Sequence, residues 1–202
     1  PRTITEEFCR RAAALPNLCP QFHLSMQSGC DDTLKRMNRK YDTTRYAQSV
    51  ALLNQYFDHP AVTTDLITGF PEETEEEFAQ TLDFIRRCGF AQMHIFPYSA
   101  RPDTPAAGFP NRVPPPVVER RAAELGALSE RLHRAFYEKQ VGTQARVLWE
   151  STRRNGYMYG YTGNYVKVRT PFDRALINTI TPVKLTATDG EEVMDAAILS
   201  RE

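Results

Sequence analysis

The sequence AVTTDLITGFPEETEEEFAQTLDFIRRCGF, residues 61–90, holds a strand, a turn and a helix in direct succession. The β-branched residues of 61–68 suit a pleated strand, and the GFP triplet at 69–71 then turns the chain. Thr74 and Glu77 have the spacing of a capping box, which marks the beginning of a helix. This stretch therefore predicts one βα unit.

Two further βα units flank the first one. The run 22–26 alternates apolar and polar residues like a strand, and Asp31 is the expected N-cap of the short helix that follows. The run 90–96 predicts a third strand, and a long helix is expected over 117–140. Repeated βα units indicate a parallel sheet, but three units are too few for a complete eight-unit barrel. We therefore predict an α/β fold with a small sheet or part of a barrel.

The pattern of the sequence changes after residue 141. Short strand-like runs are separated by glycines and by Asp189-Gly190; they lie at 146–149, 165–169, 178–185 and 196–199. This pattern predicts a compact all-β module, most simply a small barrel of the OB type. We place the boundary so that the first domain is 1–141 and the second is 142–202.

The composition excludes several classes of protein. The chain has 202 residues, 41% of them hydrophobic, and a formal net charge of +0, which are ordinary values for a globular protein. No apolar run is long enough to span a bilayer and no signal peptide is recognisable, so no membrane partner is expected. The four cysteines form no C-x-x-C pair, which suggests neither a zinc ribbon nor a disulfide framework, and a reducing cytoplasm is the default location. Because the sequence begins at Pro1 without Met, an excised fragment is as good an interpretation as a natural start.

Ligands of parallel βα folds bind at the carboxyl ends of the strands. Three segments, 25–29, 65–71 and 96–101, are predicted to lie at that edge. Each combines polar side chains with Gly or Pro, as loops that approach a ligand often do. The alternatives are loop-capping roles for Gln27 and Ser28 and a solvated position at the sheet edge for Asp65.

Charged clusters follow the first and second strands. In the basic cluster at 35–45, Arg39 is the best candidate to bind a carboxylate or phosphate, because a guanidinium can donate in a bidentate manner. Arg36 is expected to be a solvated neighbour, and a solvated helix face is the alternative for the whole cluster. The acidic run 72–77 is interpreted as charge that matches the helix dipole. His23 and His94 lie within strands and show no metal-site spacing.

The predicted β module carries a local excess of positive charge. Between residues 146 and 184, seven Lys and Arg stand against two acidic residues, a net charge of +5, and four tyrosines are interspersed with them. Cations and exposed aromatic rings on a small barrel fit phosphate neutralisation and base stacking, whereas an ordinary β surface is the alternative. The candidate RNA-binding residues are Arg146, Arg153, Arg154, Tyr161, Lys167 and Arg169.

Several motifs resemble consecutive signatures of the radical-SAM tRNA methylthiotransferases. They are HLSMQSGC at 23–30, LKRMNRKY at 34–41, TDLITGFPEET at 64–74, HIFPYSAR at 94–101 and TPAA at 104–107. The sequence at 25–30 and 63–65 is most similar to the branch that modifies N6-threonylcarbamoyladenosine of tRNA. It is less similar to the isopentenyladenosine branch and to the ribosomal-protein branch. The segment GYTGNYVKV at 160–168 resembles the TRAM domain that ends these enzymes.

This resemblance implies a partial radical-SAM (β/α) barrel at 1–141, followed by an RNA-binding TRAM domain at 142–202. It implies conversion of threonylcarbamoyladenosine in tRNA to its 2-methylthio derivative, with S-adenosylmethionine and 4Fe-4S clusters as cofactors. The cluster motif C-x-x-x-C-x-x-C is absent, so the cluster ligands are not expected in this chain and the isolated chain is expected to be inactive. The alternatives are the isopentenyladenosine branch and a catalytically inert RNA-binding fragment. The oligomeric state stays open.

The resemblance also assigns a cofactor site, but no catalytic residue and no metal ligand. The cofactor-binding residues that it implies are Gln27, Ser28, Arg39, Ile67, Gly69, Phe96 and Tyr98, and Asp65 is added from its position at the same edge. The polar residues at 27–28 would face the ribose or methionine part of S-adenosylmethionine, and Arg39 would bind its carboxylate. The segments 67–71 and 96–98 would enclose its adenine. Glu72 departs from the family, which usually has Gly there, so the turn is expected to shift slightly.

Overall fold

The computed structural model describes residues 1–188 and 192–199. The helices and strands of the first part are α1 (Glu6–Ala13), β1 (Gln21–His23), α2 (Asp31–Arg36), α3 (Thr43–Tyr56), β2 (Ala61–Thr68), α4 (Glu75–Cys88), β3 (Gln92–Pro97) and α5 (Pro115–Glu138). The strands of the second part are β4 (Gln144–Arg154), β5 (Tyr157–Thr162), β6 (Lys167–Pro171), β7 (Ile180–Thr188) and β8 (Met194–Ile198). Short 3-10 helices lie at Pro105–Gly108 and Arg174–Leu176.

A three-stranded parallel sheet, with β2 between β1 and β3, organises the first part. Along β2, Val62 and Leu66 pack into the core that the helices form on one side of the sheet. Thr63, Asp65 and Ile67 point to the opposite side, which stays partly open, because side chains alternate along a strand. The sheet confirms the predicted α/β fold, although β1 ends at His23 and the chain returns to β2 only at Gln27.

Of the two predicted helix N-caps, the one of α4 is present and the one of α2 lies at a different residue. In α4, the Glu77 N–H donates to the Thr74 hydroxyl at 3.2 Å, and the capping box predicted from the spacing is present. In α2, Cys30 rather than Asp31 is the N-cap residue, so that prediction is wrong. The Asp31 carboxylate instead accepts the N–H of Thr43 at 2.8 Å and ties α2 to the beginning of α3.

The second part is a closed barrel with the strand order β4-β5-β6-β8-β7. β6 and β8 run parallel and the other neighbours are antiparallel, which is the arrangement of an OB fold. Trp149 is fully buried at its centre and donates its indole N–H to the Thr181 hydroxyl at 2.7 Å. The predicted small all-β barrel is confirmed.

The barrel also corrects two strand boundaries. The sequence analysis assigned no strand to 157–162, where Gly160 looked like a turn residue. Gly160 instead lies within β5, where a Cβ would clash with the Leu148 carbonyl oxygen, so the close approach of β4 requires glycine there. β6 begins at Lys167, so Tyr165 lies in the preceding turn. The predicted turn at Asp189-Gly190 lies outside the described residues.

Contacts between the two parts occur at the amino end of the sheet. The Asn164 side chain donates to the His59 carbonyl oxygen at 2.8 Å and to the Gln140 side chain at 3.2 Å. Tyr137, in the last turn of α5, belongs to the core of the barrel. Among the helices in the described part of the chain, none combines the length and apolar character needed to cross a membrane.

Candidate cofactor site and nucleic-acid interface

A hydrogen-bonded polar cluster lies on the open face of the sheet. His23 Nε2 lies 3.1 Å from Asp65 Oδ2, and the Ser25 hydroxyl donates to the same oxygen at 3.1 Å. The other ring nitrogen of His23 lies 3.0 Å from the Thr63 hydroxyl. His94 on β3 extends this face, with its ring centroid 6.2 Å from that of His23. The cluster can exchange hydrogen bonds with a ligand because the side chains of His23 and Asp65 are 41% and 28% exposed.

An apolar surface continues the open face toward the carboxyl end of the strands. Ile67 and Phe96 are paired in register on β2 and β3, and Phe96 is 51% exposed. Gln27 joins this edge through its backbone, which donates to the Asp65 carbonyl oxygen and accepts from the Ile67 N–H, both at 2.9 Å. The structure thus brings four of the predicted site residues, Gln27, Asp65, Ile67 and Phe96, to one edge.

The turn after β2 is held by buried charges that the sequence analysis missed. Gly69 has φ +73°, and a Cβ there would lie 2.5 Å from Val118 Cγ2, so the turn approaches α5 closely. The Gly69 N–H donates to the Glu73 carboxylate at 2.8 Å, and Arg121 donates to the same oxygen at 2.8 Å. Burial raises the pKa of Glu73 even though these donors act against it. Glu73 is thus a buried partner of Arg121 and not a solvated helix-dipole charge.

Two buried hydroxyls lie at this edge. The Thr68 Oγ1 and the Tyr98 hydroxyl are buried and have no hydrogen-bond partner within the described residues. The backbones of the two residues are neighbours, because the Tyr98 N–H donates to the Thr68 carbonyl oxygen at 2.9 Å. The Tyr98 ring packs edge-to-face on Phe70 with centroids 5.1 Å apart. Buried polar groups normally have partners, so these two are candidates to bind a ligand.

Ser28 and Arg39 are placed differently from the other predicted residues. Ser28 is buried, its hydroxyl lies 3.3 Å from that of Thr81 on α4, and it accepts the Cys30 N–H. It therefore faces α4 and not the open face. Arg39 is exposed in the loop after α2 and, within the described residues, its guanidinium forms no hydrogen bond or ion pair. It remains available to bind an anion.

Arg36 is not the solvated residue that the sequence analysis expected. Both of its terminal nitrogens donate to the Glu77 carboxylate, one of them at 2.8 Å, and the pair joins α2 to α4. Burial alone would raise the pKa of Glu77, but the hydrogen bonds from Arg36 and the Thr74 N–H lower it overall. The other cations of the 35–45 cluster, Arg39 apart, also have partners. Lys35 donates to Asp32 and Lys40 to Asn38, both nearby in the sequence, whereas Arg45 donates to three backbone carbonyls at the beginning of the chain.

The surface of the barrel presents cations next to aromatic rings. Arg146, Arg153 and Arg154 are exposed, and Arg153 lies over the Phe172 ring at 5.0 Å. Lys167 lies over the Tyr159 ring at 5.8 Å. Arg169 contacts Tyr157 at 5.1 Å but also donates to the Asp195 carboxylate at 2.6 Å. The Asp195 pair offsets the charge of Arg169, which lowers the net positive charge counted from the sequence.

Exposed apolar side chains lie beside Tyr161, and the sequence analysis did not single them out. Leu148 is paired in register with Tyr161 on one side and with Ile180 on the other, and both aliphatic side chains are about half exposed. Tyr165 lies next to Tyr161, with ring centroids 5.7 Å apart. The alternation of β4 would have placed Leu148 on the outside once Val147 and Trp149 were assigned to the core.

Comparison with known proteins shows what the chain is similar to. Residues 1–85 match the Radical SAM superfamily. The chain is also similar to proteins named tRNA-2-methylthio-N(6)-dimethylallyladenosine synthase. The one from Acidothermus cellulolyticus is 43% identical over 148 residues, and the ones from Nocardia farcinica and Streptomyces coelicolor are 41% and 44% identical. Each similarity covers 73% of this chain but only 29–30% of the relative, so the chain spans under a third of their length.

The fold is also similar to that of a solved structure described as a radical-SAM enzyme. The structure of coproporphyrinogen III oxidase from Escherichia coli matches 98% of this chain and 50% of that chain, with a TM-score of 0.53 and 13% identity. This similarity supports the radical-SAM fold alone. The relatives' names support the methylthiotransferase resemblance in general but not its threonylcarbamoyladenosine branch.

An iron–sulfur cluster, which radical-SAM chemistry uses, does not fit the cysteines of this chain. Cys9 and Cys30 are buried in the packed interior, Cys19 is exposed and Cys88 is half-buried. Across the described ranges, no three His, Cys, Asp or Glu side chains come together as a metal site. Burial raises the pKa of the Cys88 thiol to about 12, which opposes the thiolate form that a cluster ligand requires.

Proposed function

We propose that the chain is part of a radical-SAM methylthiotransferase that converts N6-dimethylallyladenosine in tRNA to its 2-methylthio derivative. The observation that carries this proposal is the 41–44% identity over 148 residues to synthases of that name. It replaces the threonylcarbamoyladenosine substrate that the motifs at 25–30 and 63–65 suggested. Because the chain spans under a third of those relatives, the cluster ligands are proposed to lie in the portion that it does not cover.

The open face of the sheet fits S-adenosylmethionine as the cofactor. The adenine would lie on the apolar surface of Ile67 and Phe96, and the Asp65 carboxylate beside them can accept hydrogen bonds from ribose hydroxyls. The partnerless Tyr98 hydroxyl supplies a further polar contact at the same edge. When bound next to a cluster, the cofactor would supply a carbon radical. The residues of this chain would position it and exclude water around it.

The barrel fits the tRNA part of this proposal. Arg146, Arg153 and Arg154 are exposed cations on one small barrel, and cations of this kind neutralise phosphates without reading the sequence. Tyr161 and its neighbours offer faces on which unpaired bases can stack. We also propose a cytoplasmic location, where both tRNA and S-adenosylmethionine occur; cell fractionation with an antibody to this segment tests it.

Mass spectrometry of modified nucleosides tests the proposed reaction. The complete protein that carries this segment is expressed in bacteria that lack their own tRNA methylthiotransferases but retain both precursor nucleosides. We expect 2-methylthio-dimethylallyladenosine to appear while threonylcarbamoyladenosine stays unmodified. The reverse pattern would assign the protein to the threonylcarbamoyladenosine branch. Absence of both products, with the protein folded and its clusters present, would contradict the methylthiotransferase function.

A further inference from the structure

Tyr165 combines a strained backbone with an exposed side chain. Its φ is +65°, a left-handed conformation that bulky residues adopt rarely and that Asn or Gly adopt readily. The turn is fixed by the Tyr165 N–H, which donates to the Thr162 carbonyl oxygen at 3.0 Å. The side chain is 66% exposed, so little packing offsets this strain. A bulky residue kept under strain without burial points to a role outside the fold itself.

The Tyr165 ring forms an open platform together with Tyr161. Their centroids lie 5.7 Å apart with an angle of 41° between the rings. Lys167 is paired in register with Tyr161 across β5 and β6, which places a cation at the border of the platform. Two aromatic rings next to a cation form a surface on which a nucleobase can stack while its phosphate is neutralised.

The platform lies at a cleft between the barrel and the sheet. Asn164, the residue before Tyr165, is anchored to the His59 carbonyl oxygen at 2.8 Å. The cleft is lined by Tyr165 on the barrel side and by Gln21, Thr63 and Gln92 on the sheet side. It therefore opens toward the amino end of the sheet, opposite the edge where the cofactor is proposed to bind.

A continuous series of polar contacts leads from this cleft to the proposed cofactor site. The Gln21 side chain donates to the Thr63 hydroxyl at 3.2 Å, and that hydroxyl lies 3.0 Å from a ring nitrogen of His23. The second ring nitrogen of His23 contacts Asp65 at 3.1 Å. Along each strand the residues that make these contacts are two positions apart, so they lie on the same side of the sheet with about 7 Å between their Cα atoms. The open face thus offers polar partners over its whole length.

We infer that the Tyr161–Tyr165 platform stacks an unpaired nucleobase of RNA, whose chain continues over the open sheet face toward His23 and Asp65. The inference rests on the proposed tRNA substrate and adds to it the residues that bind an unpaired nucleotide some distance along the RNA from the modified one. Stacking tolerates any base, so the platform would select unpaired over paired RNA and not one base over another.

The experiment compares Tyr165→Asn with the wild-type chain of 202 residues. Asn suits a positive φ, so the variant should melt at the same temperature or higher while it loses the ring. Fluorescence anisotropy is measured with an anticodon stem-loop RNA and with a fully paired RNA duplex of equal length. We expect the affinity for the stem-loop to fall about 5- to 150-fold, the range that loss of one stacked base gives. The affinity for the duplex should stay within about two-fold, because phosphate contacts dominate it.

Tyr157→Asn is the matched control, because it removes an exposed tyrosine at the beginning of β5, the strand that carries Tyr161 near its other end, away from the cleft. It should leave the preference for unpaired RNA unchanged. A Tyr165→Asn chain that binds the stem-loop like wild type would overturn the platform alone. A lower melting temperature for that variant would assign Tyr165 to packing and would also overturn it. A wild-type chain that binds neither RNA would overturn the platform together with the tRNA-binding role of the barrel.

Discussion

Replacement of Arg121 by Met should destabilise the fold strongly, because it leaves a buried carboxylate without its cation. The Arg121 and Glu73 side chains are each only 2% exposed. Arg121 donates to the Glu73 carboxylate at 2.8 Å, to the Glu73 carbonyl oxygen at 3.1 Å and to Glu75 at 2.9 Å. Removal of one partner of such a buried pair costs about 3–5 kcal/mol. For a chain of this size, that loss corresponds to a melting temperature lower by about 6–20 °C.

The pH dependence of this loss has a definite sign. Without Arg121, burial of Glu73 is opposed only by the Gly69 N–H and no longer by a cation, so its pKa rises further above the ordinary value of 4.5. The folded variant then binds a proton more readily than the unfolded chain does. The stability deficit relative to wild type should therefore be small below pH 4.5 and grow as the pH rises through the raised pKa. Urea denaturation of both proteins across this pH range measures it.

Two further variants separate the buried pair from general effects of losing an arginine. Arg120→Met removes the neighbouring arginine, whose exposed pair with Glu75 should contribute about 0–1 kcal/mol. In Arg121→Met combined with Glu73→Gln, the amide oxygen can still accept the Gly69 N–H and no charge is buried. This double variant should recover a large part of the lost stability. The reasoning is refuted if Arg121→Met costs no more than Arg120→Met, or if the added Glu73→Gln gives no recovery.

Three other perturbations test separate features. Glu72 has φ +66° where the family usually has Gly, so Glu72→Gly should stabilise the chain by about 0.5–1 kcal/mol in thermal melts; a loss would contradict this. Arg36→Ala should cost about 1.5–3 kcal/mol near neutral pH. Because the pKa of Glu77 is lowered, the ion pair stabilises the folded state fully above pH 4.5 and loses this effect as the pH falls. The difference in unfolding free energy between Arg36→Ala and wild type, measured by urea denaturation, should therefore shrink on acidification. In filter binding, replacing Arg153 and Arg154 by Gln should reduce the slope of log affinity for tRNA against log salt by about 1.4–1.8; an unchanged slope would exclude phosphate contacts there.

The parts of the fold with local signals could be predicted from the sequence. The capping box at Thr74 and Glu77 fixed the beginning of α4, and the β-branched run of β2 fixed the central strand. β5 was missed because Gly160 was assigned to a turn. Its inward position depends on the Leu148 carbonyl and the Trp149 ring of another strand, which only the closed barrel brings near.

The site was predictable to the extent that strand alternation governs it. Asp65, Ile67 and Phe96 share one edge because parallel strands end together. The partners of its charges were not predictable, since Glu73 and Arg121 are 48 residues apart in the sequence. Nothing in a window around either residue distinguishes a buried pair from two solvated charges. Ser28 belongs to the same class, because its contact with α4 depends on helix packing.

The position of Tyr137 affects how the barrel unfolds and how it can be excised. This residue is the last buried ring of a helix about 36 Å long, yet it packs in the barrel core and its hydroxyl accepts the Lys167 N–H at 3.2 Å. The cooperative unit that contains the barrel therefore begins before residue 142 and includes the last turns of α5. A fragment cut at 142 would leave a cavity where this ring belongs, whereas a cut upstream of His133 would keep the ring. Leu125 and Leu128 of the same helix pack in the core of the first part. A single rigid helix therefore joins the two cores, so that a distortion of one part is transmitted to the other.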